Sequence, residues 1–121
     1  MGKNRTLLRS FANAFYGIYL AFRDERNMRI HGLLTAIVLV LMIWLRVSAI
    51  EFMFLMLNIA LVWITELINT SIEESFNLQQ RAPNLHIKIG KDVAAGAVLV
   101  AALSALLTGC VIFIPKIMVL F

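Results

Sequence analysis

The chain has a single cysteine, Cys110, which excludes an intrachain disulfide and a thiolate metal cluster. Cys110 lies in an apolar run and reads as a buried structural thiol. Charge is scarce as well. Charged residues make up 15% of the chain, where a soluble domain has about 25%. Apolar residues make up 61%, against roughly 45–50% in a soluble domain. The two departures together indicate a single-domain membrane protein. The basic excess is small, 11 Lys and Arg against 7 Asp and Glu, and no basic stripe is interleaved with aromatics. Nucleic acid is therefore not an expected partner. The motifs of soluble phosphate chemistry are missing too. GxxxxGK[ST] fails because Leu85 stands where its first glycine belongs and Asp92 follows Gly90-Lys91. GxGxxG, HExxH and a nucleophile elbow are absent, and His31 and His86 read as interfacial side chains without a ligand pattern.

No cleavable signal peptide is expected, since the first long apolar run begins only after Ile30. MGKNRT fits a myristoylation pattern, and Asn4-Arg5-Thr6 and Asn69-Thr70-Ser71 fit a glycosylation pattern. These short matches carry no weight, the last because Asn69 would lie at or in a membrane.

Three apolar runs are present. The first covers residues 30–50, and its uncharged heart, Gly32 to Leu45, is short for a span of about 20 residues. Arg46 extends it by reaching to the far interface. The second covers residues 50–65, between Glu51 and Glu66, and the third covers 93–114, ended by Pro115. Arg46-Val47-Ser48-Ala49 reads as a tight turn, so the first two runs form a hairpin. The expected fold is all-α and integral to the membrane. Its transmembrane helices lie at about 30–50, 50–80 including a cytoplasmic extension, and 92–114.

The positive-inside rule orients them. Lys3, Arg5, Arg9, Arg23, Arg26 and Arg29 precede the first span, and Arg81, Lys88 and Lys91 lie between the second and third. The opposite side holds only Arg46 and Lys116. The N-terminus is therefore expected in the cytoplasm and the C-terminus outside. Ahead of the first span, about residues 5–24 form an amphipathic helix, with Leu7, Phe11, Ala14, Phe15, Ile18 and Phe22 on one face and Arg9 and Asn13 on the other side. The pattern suits a helix lying on the inner leaflet and equally a helix packed against the spans.

The chemistry concentrates where the second run ends, in ITELINTSIEES, residues 64–75. At about 100° per residue, Glu66, Asn69, Glu73 and Asn77 fall on one stripe with Thr70 beside it, opposite Leu67, Ile68, Ile72 and Phe76. The second span thus continues as a helix with one polar face, and Glu74 points away from that face into solvent. A carboxylate near the bilayer core costs roughly 2.5–3.5 kcal/mol on insertion scales, which folding alone does not require. An ordinary amphipathic exit from the membrane is the rival reading. Glu25, Lys91 and Asp92 sit at the cytoplasmic ends of the neighbouring spans, at the same depth as Glu73. Paired carboxylates suit Mg²⁺ with phosphate oxygens, a lysine suits phosphate, and a deep carboxylate suits a general base.

ERNMRIH (25–31), ELINTSIEES (66–75) and KDVAAGAVL (91–99), in this order, resemble the prokaryotic integral-membrane diacylglycerol kinase family across nearly the whole chain. ERNMRIH and the ending IFIPKI (112–117) are more similar to its Gram-positive branch, whose members phosphorylate undecaprenol. The resemblance implies an ATP-dependent lipid kinase of the bacterial inner membrane, built as a homotrimer with sites shared between protomers. It implies Glu66 as general base on the lipid hydroxyl and Glu25 and Glu73 as ligands of Mg²⁺ bridging the ATP phosphates. Asn13, Asn69, Asn77, Lys91 and Asp92 would join Glu25 and Glu73 around the nucleotide, and Arg9 and Ala95 would join Glu66 near the lipid. There are departures. Many members have an aspartate at the place of Asn77, some have a serine at the place of Ala95, and the connection 78–90 lacks the usual acidic or His-rich pattern. Arg81 and Lys88 in that connection would either help hold polyphosphate or form a solvated basic loop. The expected reaction is ATP plus undecaprenol giving undecaprenyl phosphate and ADP. The alternatives are the same transfer to diacylglycerol, a proton-coupled transporter using Glu66, and a non-catalytic assembly subunit.

Overall fold

The computed structural model describes residues 6–79 and 84–121. Four helices make up the described chain: α1 Leu7–Asp24, α2 Arg26–Trp44, α3 Ala49–Gln79 and α4 Leu85–Leu120. There is no strand among the described residues. The last three helices are long and apolar enough to cross a membrane. At 1.5 Å per residue α2 is about 28 Å long, close to the roughly 30 Å hydrocarbon layer. On the same scale α3 and α4 are about 46 and 54 Å long and must project beyond it.

Local chemistry sets the boundaries. Thr6 caps α1 by accepting from the Arg9 N–H, and Asn84 caps α4 by accepting from His86 and Ile87 N–H. Between α1 and α2 a single residue, Glu25, leaves helical geometry (φ −110°, ψ 117°). Arg29 stabilises that break by donating to the Phe22 and Arg23 carbonyls that end α1. The α2–α3 turn holds Arg46 at φ 52°, the left-handed residue that ends many helices. Ser48 and Glu51 then form a reciprocal cap, backbone N–H to side chain in both directions. Glu51 also meets Lys116 at 3.0 Å, fastening the start of α3 to the end of α4. The expected stop at Pro115 is corrected: α4 continues through it to Leu120. A proline removes one N–H from the ladder, a loss that neighbouring helices and local adjustments accommodate in membrane helices.

The far end of the bundle is closed by Met42, Leu55, Ile112 and Phe113, all buried. Halfway along α3, Asn58 donates to Thr108 Oγ1 at 3.2 Å and accepts from Ser104 Oγ at 2.8 Å. Such hydrogen bonds hold membrane helices together where apolar burial has no force. Trp63 Nε1 donates to Thr35 Oγ1 at 2.8 Å, tying α3 to α2. Phe22 of α1 meets the Trp63 ring edge-on at 5.2 Å. A Cβ at Gly32 would sit 2.6 Å from the Phe22 ring, so the glycine makes room for α1 to seat on α2. Gly90 does the same for Phe76, letting the projecting ends of α3 and α4 approach. Ala21 is buried, while Leu7, Phe11 and Phe15 remain exposed. Most apolar side chains of the three long helices also face outward, Leu33, Ile43, Met53, Leu103 and Val111 among them.

Candidate functional site

The polar stripe of α3 faces inward at its deep end. Glu66 is 1% exposed and Asn69 5%, whereas Ile68 on the other side is 54% exposed. Glu66 is 17 residues from Ala49, about 26 Å along the helix, which places it just inside the second interface of a roughly 30 Å layer. Glu66 Oε2 and Asn69 Oδ1 are buried without a hydrogen-bond partner among the described residues. Buried polar atoms are nearly always satisfied, so these two mark a place built for something other than packing.

α2 runs antiparallel to this stretch, and the tight turn fixes its register. Receding along α2 while advancing along α3, Met42 shares a cluster with Leu55, and Thr35 bonds Trp63. One turn further, His31 Nε2 lies 3.5 Å from Glu66 Oε2. Beyond that, Glu25 comes under the field of Glu73. Burial first, then the like charges of Glu73, Glu66 and Glu74, push the Glu25 carboxyl above its ordinary value. Its neighbour Asp24 is held below its ordinary value, chiefly by hydrogen bonds from the Arg23 guanidinium at 2.7 and 3.1 Å.

Glu25 also lines a cleft of about 520 Å³ between α1 and α3, together with Ala14, Gly17, Thr70, Ser71 and Glu74. Glu74 is exposed, as the helical geometry predicts, and adds its charge to that cleft. Thr70 hydrogen-bonds back to the Glu66 carbonyl. Further out, Lys91 Nζ donates to Asn77 Oδ1 at 2.7 Å, joining α4 to the outer end of the stripe. Asp92 pairs with Lys88 at 2.7 Å rather than with its neighbour Lys91, and it is exposed. Ala95 is exposed on α4, and Arg9 and Asn13 are exposed on α1, where neither lines the cleft. Arg81 lies outside the described residues, as do Lys3 and Arg5.

The structure thus brings Glu66, Asn69, Glu25 and Glu73 to one end of the hairpin and joins Asn77 to Lys91. The pattern of α2 alone does not point to His31, which the fold sets beside Glu66. Folding the sequence back between Ser48 and Ala49, at the end of the turn, places residue 31 across from residue 66, and that reflection is the available signal. The arrangement offers a buried carboxylate at the membrane edge, crowded carboxylates toward water and a lysine beyond them. Glu25 and Glu73 supply hard oxygens, and their crowding is what a divalent cation relieves. No group of three or more His, Cys, Asp and Glu stands ready for a metal among the described residues. Two carboxylates of this kind match what Mg²⁺ takes from a protein, which is one or two, with phosphate and water completing its shell.

Residues 12–113 match the family described as prokaryotic diacylglycerol kinase. The chain belongs to that family. It is a lipid kinase, a phosphotransferase to an alcohol, in a membrane protein with three apolar helices. It is 37% identical over 108 residues to the undecaprenol kinase of Bacillus subtilis, covering 89% of this chain and 88% of that one. It is 38% identical over 113 residues to a diacylglycerol kinase of Synechocystis, covering 93% of this chain and 65% of the relative. The diacylglycerol kinase of Escherichia coli is 28% identical over 114 residues, covering 88% of this chain and 87% of that one.

Proposed function

We propose that this lipid kinase transfers the γ-phosphoryl group of ATP to the hydroxyl of undecaprenol, with Glu66 as general base. The observation that carries the reading is the buried Glu66 carboxylate, which has one oxygen without a hydrogen-bond partner at the depth a lipid headgroup reaches. The lipid oxygen attacks Pγ as its proton passes to Glu66. The new O–P bond forms while the bond from Pγ to the β–γ bridging oxygen breaks, and ADP leaves with that electron pair. Phosphoryl transfer needs positioning and charge neutralisation more than covalent help. Glu73 lies two turns, about 10 Å, beyond Glu66 toward water, so base and nucleotide ligands follow the order in which lipid and ATP arrive. Glu25 and Glu73 would hold Mg²⁺, which when bound supplies positive charge to the phosphates. Asn69 orients groups between them by its amide. Lys91, held by Asn77, supplies a cation to the phosphates, and Asp92 and Asn13 complete the nucleotide side. Arg9 and Ala95 belong to the lipid side.

The outward apolar faces of α2, α3 and α4 suit lipid and further copies of the chain, and a homotrimer is the assembly we infer. On α1 the exposed Leu7, Phe11 and Phe15 suit the inner leaflet, with the N-terminus in the cytoplasm and the C-terminus outside a bacterial inner membrane. Residues 1–121 act as one catalytic domain. Undecaprenol is favoured by the similarity to the Bacillus protein along nearly its full length. Diacylglycerol is the second reading, supported by the near-equal identity to the Synechocystis protein. Family membership leaves the transporter and assembly-subunit readings without support.

The test uses purified protein in detergent micelles with Mg²⁺ and labelled ATP, offered undecaprenol and diacylglycerol separately. Label is expected mainly in undecaprenol, and Glu66→Gln is expected to lower transfer about 10²–10⁴-fold, the usual contribution of a general base. Full transfer by Glu66→Gln would falsify the base assignment, and label mainly in diacylglycerol would overturn the substrate.

A further inference from the structure

We propose that His31 is the positioning residue of Glu66, its Nε2–H directed at Oε2 so that the carboxylate stays ionised and aimed at the lipid hydroxyl. This inference rests on the reading of Glu66 as base. Three observations carry it. Glu66 Oε2 has no hydrogen-bond partner, and His31 Nε2 lies 3.5 Å from it. Both side chains are enclosed, 15% and 2% exposed. The helix turn that carries His31 is itself anchored: Thr35 Oγ1 donates to the His31 carbonyl at 2.7 Å and accepts from Trp63, one turn from Glu66 on α3. The other charges that act on these groups, Glu73 and Glu25, are both acidic. His31 is thus the one donor the structure gives the carboxylate among the described residues. A separation of 3.5 Å is long for a direct bond, and catalytic hydrogen bonds commonly tighten only when substrate is present.

A lone histidine against an apolar wall would serve packing equally well, so the variants must separate packing from hydrogen bonding. His31→Leu keeps bulk and removes the donor, whereas His31→Gln keeps an N–H donor. A hydrogen bond to a charged group predicts that His31→Leu loses about 10–100-fold in kcat with KM for ATP within about twofold. His31→Gln should recover most of that loss. The reverse order, with Leu active and Gln impaired, overturns the proposal in favour of packing. A loss seen only in KM for ATP overturns it as well. A second measurement does not depend on turnover. The chain has two histidines, so ¹⁵N-histidine labelling yields His31 and His86 alone. Glu66→Gln is expected to move the His31 Nε2 resonance and leave that of His86 in place. An unmoved His31 resonance refutes the pairing, even should His31→Leu fail to fold. If Glu66→Gln retains transfer while the His31 resonance moves, the base reading has failed and His31 loses its catalytic purpose. If Glu66→Gln is inactive and both His31 variants match the wild type, only the present inference has failed.

Discussion

The bond between Trp63 and Thr35 clamps the register that the tight α2–α3 turn sets, with His31 opposite Glu66, and its strength follows from its surroundings. Trp63 makes the 2.8 Å hydrogen bond to Thr35 and packs edge-on with Phe22 at 5.2 Å. Trp63→Phe removes the first and retains an aromatic ring for the second. Hydrogen bonds between membrane helices average about 0.6 kcal/mol and reach about 1.7. The lower figure applies here, because Thr35 keeps its own bond to the His31 carbonyl and no buried hydroxyl is orphaned. The coupling should therefore be about 0.6 kcal/mol, or roughly threefold in the unfolding constant. Trp63→Leu also loses the aromatic pair, worth about 0.5–1.5 kcal/mol, for a total of about 1–2 kcal/mol. The assay is unfolding of the micellar protein by dodecyl sulfate, followed by circular dichroism. A double-mutant cycle with Thr35→Val isolates the hydrogen bond from the change in ring size. A coupling below about 0.2 kcal/mol, or a Phe variant as unstable as the Leu variant, would refute the account of how the hairpin is held in register.

Two further outcomes follow from the same structure. Asn58 lies 9 residues from Ala49, about 14 Å along α3 and so near the bilayer midplane, where it makes two interhelical hydrogen bonds. Asn58→Leu should cost about 1 kcal/mol and no more than about 3, since Ser104 and Thr108 can turn back to their own helix carbonyls. A dodecyl sulfate titration showing no loss would mean that α3 and α4 are held by shape alone. The raised Glu25 carboxyl gives a pH dependence with a definite sign. The folded state holds that proton more tightly than the unfolded one, so its contribution is present below the unfolded value and is lost as pH rises through the folded value. Thermal melts without Mg²⁺ should fall across this window in the wild type and fall less in Glu25→Gln. Mg²⁺ at neutral pH should restore the wild type more than the variant, and equal responses would count against Glu25 as a ligand.

What the sequence made legible was whatever depends on one helix at a time. The three apolar runs became α2, α3 and α4, and the 100° arithmetic that grouped Glu66 with Asn69 holds, because helix geometry is local. The α1 period likewise yields a helix over Leu7–Asp24. What stayed hidden depends on two helices together. Lys91 and Asp92 share the inner end of the third span, but consecutive helical residues point about 100° apart, so which partner each takes is set by its neighbours: Lys88, one turn back, for Asp92, and Asn77 of α3 for Lys91. Proline is a stop by a rule for water, while a membrane helix has no solvent to turn its backbone toward and continues through Pro115. His31 carried no pattern within its own helix, and its meaning lies in what faces it. Yet the hairpin turn at Arg46 is short enough that its position alone orders the facing pairs: Thr35 with Trp63, His31 with Glu66, Glu25 with Glu73. Extra residues there would loosen this pairing without touching a helix, so a two-residue insertion should lower lipid phosphorylation while helix content by circular dichroism stays unchanged. The site therefore depends on the turn at the opposite side of the membrane as directly as it does on the carboxylates themselves.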